Sequence, residues 1–278
     1  MSRLPLPVRA RLRALLRDAD PAQRAQGREL MATLTLDERW SVLQGIKRLE
    51  DIDITGLDLS GIPLSQVRLN HLKAEQAILR GADLSGAKLE VATLRGADLQ
   101  QANLQGASLR QARLHSAILD DADLRWIQGT SATFNHAMMR RAVLVSAELA
   151  HAHLNAVDLT GAQLKQVNLA RGTLNQAKLS GVAALIEVDF TDASLEGADL
   201  RGLDLRGQRP RSLRGADLRG ADLRGSLLGG VNLAGADLRG ADLRGAGLRY
   251  ADLTDANLEG ATLDGAQMDG AQMDGAIR

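Results

Sequence analysis

The sequence contains no cysteine and very few aromatic residues. Of its 278 residues, only 2% are Phe, Trp or Tyr. The lack of cysteine excludes a disulfide framework, a thiolate nucleophile and any zinc site that uses cysteine ligands. Because hydrophobic residues still make up 45% of the chain, we expect a core built almost entirely from aliphatic side chains.

The chain also lacks an excess of charge of either sign. Its 34 Lys and Arg residues balance 34 Asp and Glu residues. This neutrality argues against direct nucleic-acid binding, and equally against a protein that imitates nucleic acid by being acidic throughout. No run of 18 apolar residues predicts a transmembrane segment, and the N-terminus lacks the apolar stretch of a secretory signal. We expect a soluble, cytoplasmic protein, although secretion through a dedicated receptor stays open.

A period of five residues organises the chain from Ile52 to Gly275. A typical unit is Ala82-Asp83-Leu84-Ser85-Gly86, with Ala at position 1, Leu at position 3 and Gly at position 5, and 44 such units follow one another. This period fits neither an α-helix nor a simple β-strand. We therefore expect positions 1 and 3 to face inward, and position 5, which carries 22 of the 28 glycines, to turn the chain with a positive φ.

Three places interrupt this regularity. The residue Val182 and the tripeptide Gln208-Arg209-Pro210 shift the phase of the repeat. The unit 127–131 carries Gly where Leu belongs, which predicts a local bulge or kink filled by Phe134 and Met139.

The A-(D/N)-L-x-x units resemble those of the pentapeptide-repeat family. Ala97-Asp98-Leu99 and Ala221-Asp222-Leu223 are examples, and the resemblance covers 224 residues. It implies a mainly β fold, a right-handed quadrilateral β-helix with four units per coil and therefore about 11 coils. Neighbouring coils should lie about 4.8 Å apart, as strands in a sheet do.

The domain organisation follows from the repeat. We predict an N-terminal helical cap at 1–51, the β-helix at 52–275 and a short tail at 276–278, because the end coil of a solenoid needs cover. The pattern predicts helices over Arg9–Arg17, over Ala22–Leu34 after Asp20 and Pro21, and from Leu36 to about Gln44 after a capping box that begins at Thr35.

Residues 20 apart should lie above one another, which predicts columns on the surface. One candidate polar column consists of His115, Asn135, Asn155 and Asn175. It is either a recognition strip or a solvated ladder of amides. A metal site formed by His115, His136 and His153 is a further interpretation, but no acidic partner accompanies these histidines, so we predict neither a metal nor a cofactor.

Apolar residues at outward positions form a candidate interaction patch. An exposed apolar patch marks a partner or dimer surface, and the alternative is that the Trp126 ring covers the defect at 127–131. The patch comprises Ile118, Trp126, Met138, Val143, Val145 and Ile186.

Charge varies along the repeat. From Ala198 to Tyr250 there are ten Arg and six Asp, which is either a phosphate-binding band or a lattice of mutually paired charges.

The last coil is acidic and is our candidate dimer end, although its charge would also discourage indiscriminate stacking. Its candidate residues are Glu259, Asp264, Met268, Asp269, Met273 and Asp274.

No catalytic motif occurs in the sequence, so we predict a non-enzymatic interaction or scaffold protein with an unidentified protein partner and a possible homodimer. Two alternatives stay open. The resemblance implies that such a protein can act as a DNA mimic that binds a type II topoisomerase, which requires a long acidic face. The other is a secreted bacterial effector, whose arginine-rich N-terminal segment would bind a membrane surface or a receptor.

Overall fold

A computed structural model describes residues 4–43, 47–206 and 213–278. Three α-helices come first: α1 is Leu6–Arg17, α2 is Pro21–Ala32 and α3 is Leu36–Leu43. The remaining described residues wind into coils joined by parallel β-bridges. At one place the bridges lengthen into two parallel strands, β1 at Gln163–Lys165 and β2 at Ala184–Ile186. The predicted mainly β solenoid is confirmed.

The bridges show the period of the solenoid. Asp53 pairs with Lys73, and bridged residues lie 20 apart through the first coils, so that four five-residue units make one coil. Asn168 pairs with Asp189, 21 residues later, because Val182 lies between them. The extra residue lengthens one coil, and the ladder continues on both sides of it.

The second insertion, at 208–210, lies outside the described residues. Across it, Ser194 pairs with Asp217, 23 residues later. Further along, Asp217 pairs with Asp237, so the spacing of 20 returns.

The backbone hydrogen bonds explain why this repeat has five residues. In the unit Ala82–Gly86, the N–H groups of Leu84 and Gly86 donate to carbonyls of the next coil, and that of Asp83 donates to the preceding coil. The N–H of Ala82 closes the preceding turn. The N–H of Ser85, at position 4, instead donates to the Asp83 carboxylate at 3.1 Å. Position 4 therefore depends on a side-chain acceptor.

This contact accounts for the Asp or Asn at position 2. Asp123 accepts from the N–H of Arg125 at 3.2 Å, and Asn232 accepts from the N–H of Ala234 at 2.9 Å. A buried or half-buried N–H without an acceptor costs about 1–3 kcal/mol. The aspartates at position 2 therefore have a structural role, because their side chains accept hydrogen bonds from the backbone.

Position 5 adopts a positive φ whatever its side chain. Gly86 has φ 62°, but Trp126 and Tyr250 both have φ 58°. This conformation costs a residue other than glycine about 1–2 kcal/mol. Because the ladder on both sides imposes the turn, glycine is favoured at these corners without being required.

The predicted bulge or kink at 127–131 is wrong, but Phe134 does lie beside Gly129, as predicted. Gln128 bridges both Ser108 below and Glu148 above, so the ladder passes through the unit unbroken. A Cβ atom built on Gly129 would lie 2.7 Å from Cδ2 of Leu149 and 3.8 Å from Cε2 of Phe134. Neighbouring side chains therefore occupy the space of the missing leucine, and the backbone need not move.

The helices lie close to their predicted positions. α1 begins at Leu6 rather than Arg9, because a proline such as Pro7 is compatible with the first helical turn. α2 ends at Ala32, two residues before the predicted end at Leu34.

The expected signals start the second and third helices. The Asp20 carboxylate accepts from the N–H of Ala22 at 2.9 Å. Thr35 and Glu38 form a capping box, in which the Thr35 N–H donates to the Glu38 carboxylate at 2.9 Å and the Glu38 N–H donates to the Thr35 hydroxyl at 3.3 Å. The predicted end of the third helix at Gln44 lies outside the described residues.

Polar contacts attach the helices to the first coil. The Asp53 carboxylate is almost buried and pairs with Arg28 at 2.5 Å and with Arg24 at 3.4 Å. The Arg39 guanidinium donates to the carbonyls of Met31 and Ala32 at the end of α2, and to the Asp58 carbonyl of the first coil at 2.9 Å. Arg39 therefore joins the end of a helix to the coil.

We predict that Gly129→Leu, although it restores the usual residue, lowers the free energy of unfolding by about 1–3 kcal/mol, because the added side chain overpacks the core. Chemical denaturation followed by circular dichroism measures this. Adding Leu149→Ala should recover part of the loss. Strictly additive losses in the double variant would show that these two side chains do not compete for the same space.

We also predict that Arg39→Ala weakens the attachment of the helices by about 2 kcal/mol, because three carbonyls lose a charged donor. Hydrogen exchange should then accelerate in residues 4–43 and in the first coil, with no change in later coils. Arg11→Ala, at an exposed position of α1, is the matched control. Equal exchange in both variants would contradict the role of Arg39.

Candidate interaction surfaces

The three asparagines of the predicted polar column form a hydrogen-bonded ladder, which the His115 side chain does not join among the described residues. The Asn135 side-chain oxygen accepts from the N–H of Asn155 at 2.9 Å, and the Asn155 oxygen accepts from the N–H of Asn175 at 3.0 Å. The Asn175 oxygen accepts from the N–H of Glu196 at 3.1 Å. These side chains satisfy the N–H at position 4 from the preceding coil instead of from within the same unit.

The histidines near this column do not converge on one point. The His115 ring packs edge-on against His136, with centroids 5.2 Å apart, and His153 Nδ1 lies 3.2 Å from the Thr173 hydroxyl. Among the described residues, no group of three or more His, Asp or Glu side chains could hold a metal ion.

The apolar patch is divided between two consecutive faces. Ile118 and Met138 bridge each other on one face, whereas Val143 and Val145 lie on the next. The N–H of Trp126 donates to the Val145 carbonyl at 2.9 Å, which places the indole at the far corner of that second face.

The positions of Ile186 and Trp126 also interrupt the apolar patch. Ile186 pairs with Lys165, which separates it from Val145 by one coil. Trp126 is 52% exposed as a residue, and the Arg125 guanidinium lies 5.5 Å from the centre of its ring. The six residues therefore do not form one continuous apolar surface.

The arginine-rich stretch is a lattice of paired charges. Arg224 donates to the Asp222 carboxylate through Nε and Nη2 at 2.8 and 2.6 Å, and it lies 3.5 Å from Asp242 of the next coil. Arg209 and Arg211 lie outside the described residues. The same pairing with the aspartate of the same unit recurs at Arg201, Arg206, Arg219, Arg239 and Arg244.

This pairing shifts the acidity of the aspartates. The hydrogen bond from Arg244 is the main cause that lowers the pKa of Asp242 to about 2, and the charge of Arg224 adds to it. The pKa of Asp199 is lowered by its hydrogen bond with Arg201, and the pKa of Arg201 is raised in return. These carboxylates are compensated and do not form a free acidic face.

The predicted dimer end lies on the last coil. The carboxylates of Glu259, Asp264 and Asp274 are exposed, and Asp269 pairs with Arg249 of the preceding coil at 3.0 Å. Met268 and Met273 are only half-buried, in contrast to the fully buried position 3 residues of earlier coils. Association through this coil stays a prediction.

The N-terminal arginines are largely engaged within the chain, which the sequence did not indicate. Arg9, Arg13 and Arg17 lie on one side of α1 and donate to the carbonyls of Ser41, Val42 and Arg48. Burial is the main cause that lowers the pKa of Arg13, and the neighbouring Arg9 and Arg17 add to it. Arg3 lies outside the described residues. The sequence signal that could have indicated these contacts is the spacing of four between Arg9, Arg13 and Arg17, because residues four apart on a helix share one face.

No helix in the described ranges is long and apolar enough to cross a membrane.

Comparison with known proteins identifies the repeat. A family model of pentapeptide repeats matches in eight copies, at residues 58–96, 77–115, 92–127, 107–144, 147–182, 183–207, 212–249 and 241–277. No curated protein sequence matched the chain.

Solved structures of repeat proteins are similar to it. HetL, a pentapeptide-repeat protein involved in heterocyst differentiation regulation from the cyanobacterium Nostoc sp. strain PCC 7120, is 30% identical over 84% of this chain and 92% of its own, with a TM-score of 0.31. Full-length QnrB1, a plasmid-mediated fluoroquinolone resistance protein, is 19% identical over 77% of this chain and 92% of its own, with a TM-score of 0.26. A protein from the Arabidopsis thaliana thylakoid lumen is 28% identical over 46% of this chain and 73% of its own, with a TM-score of 0.19.

We predict that Arg244→Gln raises the pKa of Asp242 from about 2 toward its ordinary value of 3.8. Because the pKa is lower in the folded state, the pairing stabilises the fold above pH 3.8 and is lost as the pH falls toward 2. A carbon-13 NMR titration of the carboxyl group measures this. The control Arg11→Gln should leave the midpoint unchanged, and an unchanged midpoint in Arg244→Gln would contradict the assignment.

Proposed function

Because this chain belongs to the pentapeptide-repeat family, we propose that it is a non-enzymatic interaction protein whose flat faces bind a protein partner. The observation that carries the proposal is the filled interior. Alanine and leucine side chains stack through successive coils with almost no exposure, and Phe134 and Phe190 are fully packed as well. Since side chains fill the core, recognition depends on the outward columns.

The regular spacing of these columns favours binding over catalysis. Outward side chains repeat at the separation of parallel strands, about 4.8 Å, on a backbone held by the ladder. A partner would therefore meet a preorganised surface, which lowers the entropic cost of association. Catalytic groups, in contrast, are usually placed in a concave site that excludes water.

The proposal includes a right-handed solenoid of about 11 coils, counted from the 44 units, with α1 to α3 as its cap. The contacts of Arg28 with Asp53 and of Arg39 with Asp58 support a capping role. A capped end protects the first coil from pairing with another chain.

The charges favour this proposal over a DNA mimic. A mimic needs a row of uncompensated carboxylates, but the aspartates of the late coils are paired with arginines of the same units, as Asp222 is with Arg224. An effector that binds membranes through its N-terminal arginines is also less favoured, because Arg9, Arg13 and Arg17 donate to backbone carbonyls of the chain itself.

The test is photo-crosslinking from the four faces of one coil. A photoreactive residue is placed singly at Thr133, Met138, Val143 or Glu148. All four occupy position 2, and none of them is an Asp or Asn, so the replacement removes no Asp or Asn that accepts the N–H at position 4. We expect one discrete crosslinked protein from one or two adjacent faces in the cells that express the chain. No crosslink, or the same products from all four faces, would contradict the proposal.

A second measurement distinguishes the proposed interaction function from a DNA mimic. Purified protein is added to a gyrase supercoiling reaction, with and without a fluoroquinolone. We expect no change at micromolar protein, whereas inhibition or protection would favour the DNA mimic.

A further inference from the structure

One face of the solenoid carries no carboxylate over five consecutive coils. We call it the Asn face and define it by the units 92–96, 112–116, 132–136, 152–156 and 172–176. These units contain two Arg and three His but no Asp or Glu. The nearest acids on the same face are Glu75 below and Glu196 above. The Asn face therefore differs from the paired lattice of the later coils.

The two arginines of this face have no carboxylate partner. Within the part of the chain that the structure describes, neither Arg95 nor Arg113 forms an ion pair, and both side chains are exposed. They line an open surface depression of about 450 Å³ together with Thr93, His115 and Thr133, and Glu75 lies at its lower edge. This depression presents two guanidinium groups without an ion pair among the described residues beside the hydroxyl groups of Thr93 and Thr133, with one carboxylate at its edge.

The asparagine ladder adds donors of fixed orientation. The side-chain oxygens of Asn135, Asn155 and Asn175 accept from backbone N–H groups of the next coil. Since a backbone N–H can only donate, the atom that it meets must be the oxygen, and the amide nitrogen is left for other partners. In the described residues these three nitrogens have no acceptor. The ladder thus offers N–H donors at each coil.

The chemistry of the Asn face indicates its partner. Free guanidinium groups and amide N–H donors match carboxylates and backbone carbonyls, which are acceptors. An extended acidic peptide carries both kinds of acceptor along a flat strip. Nucleic acid fits less well, because two fixed cations neutralise few phosphates and the whole chain is neutral.

We propose that the Asn face is a docking surface for an extended acidic segment of a partner protein. This inference rests on the proposed interaction function and names the surface and the chemistry that it recognises. The positive end lies at Arg95 and Arg113, and the donor ladder continues from Asn135 to Asn175.

The test measures binding of a fluorescein-labelled 12-residue peptide of alternating Glu and Ser by fluorescence anisotropy, using the full chain. A peptide of alternating Lys and Ser and a single-stranded DNA 12-mer are the comparison ligands. We expect saturable binding of the acidic peptide only. Absent binding of that peptide, or tighter binding of the DNA, would overturn the proposal.

Two pairs of variants locate the site. The double variant Asn135→Asp with Asn155→Asp keeps the ladder oxygens but replaces the outward nitrogens by negative oxygens, so we expect Kd to rise about tenfold or more. The matched control is Asn232→Asp with Asn257→Asp, which makes the same change of net charge at position 2 of later coils. Equal effects of both pairs would show non-specific electrostatics and overturn the proposal.

The arginines are tested in the same way. Arg95→Gln with Arg113→Gln should weaken binding about tenfold, whereas Arg224→Gln with Arg244→Gln should leave Kd within about twofold. Thermal unfolding checks that each variant folds. If the acidic peptide fails to bind while crosslinks form from a single other face, the interaction function stands and only the Asn face proposal falls.

Discussion

The fold depends on how each unit satisfies the backbone N–H at position 4. The N–H groups at the other positions of the unit Ala82–Gly86 all find carbonyl partners, whereas this one donates to a side chain. In many units the acceptor is an aspartate or asparagine two residues earlier, and on the Asn face it is an asparagine one coil below. The short polar side chains of the repeat therefore hold the turns together, and the buried leucines hold the coils together.

The role of the aspartates as acceptors within the turn determines which surface charges are paired. An aspartate that accepts from its own turn also lies within reach of an arginine at position 4, so carboxylate and guanidinium pair within one unit, as in Asp217 and Arg219. Individually such exposed pairs contribute little to stability, but together they give each aspartate between Ala198 and Tyr250 an arginine partner. On the Asn face, where asparagine is the acceptor, the five units contain no carboxylate, and neither Arg95 nor Arg113 forms an ion pair with a described residue. The choice of the acceptor for the N–H at position 4 therefore also determines the charge of the surface at that unit.

Prediction from the sequence succeeded where one rule repeats and failed where long-range packing decides. The period of five and the family fold follow from local pattern alone. The bulge expected at Gly129 does not form, because Leu149, one coil away, occupies the vacant space. The apolar patch is divided because Ile118 lies on one face of the coil and Trp126 lies at the far corner of the next face. The N-terminal arginines looked free, yet Arg13 meets a carbonyl at Val42, 29 residues later.

The sequence by itself determined the period, the inward positions and the turns of this protein, because each of these depends on residues within one or two units, and it determined the neutral net charge, because that is a sum over the composition. Only the tertiary structure decided which charges are compensated, which way the amides of Asn135 and Asn155 point, and what fills the core beside Gly129. These depend on contacts between residues about 20 positions apart, whose atoms meet only once the coils stack.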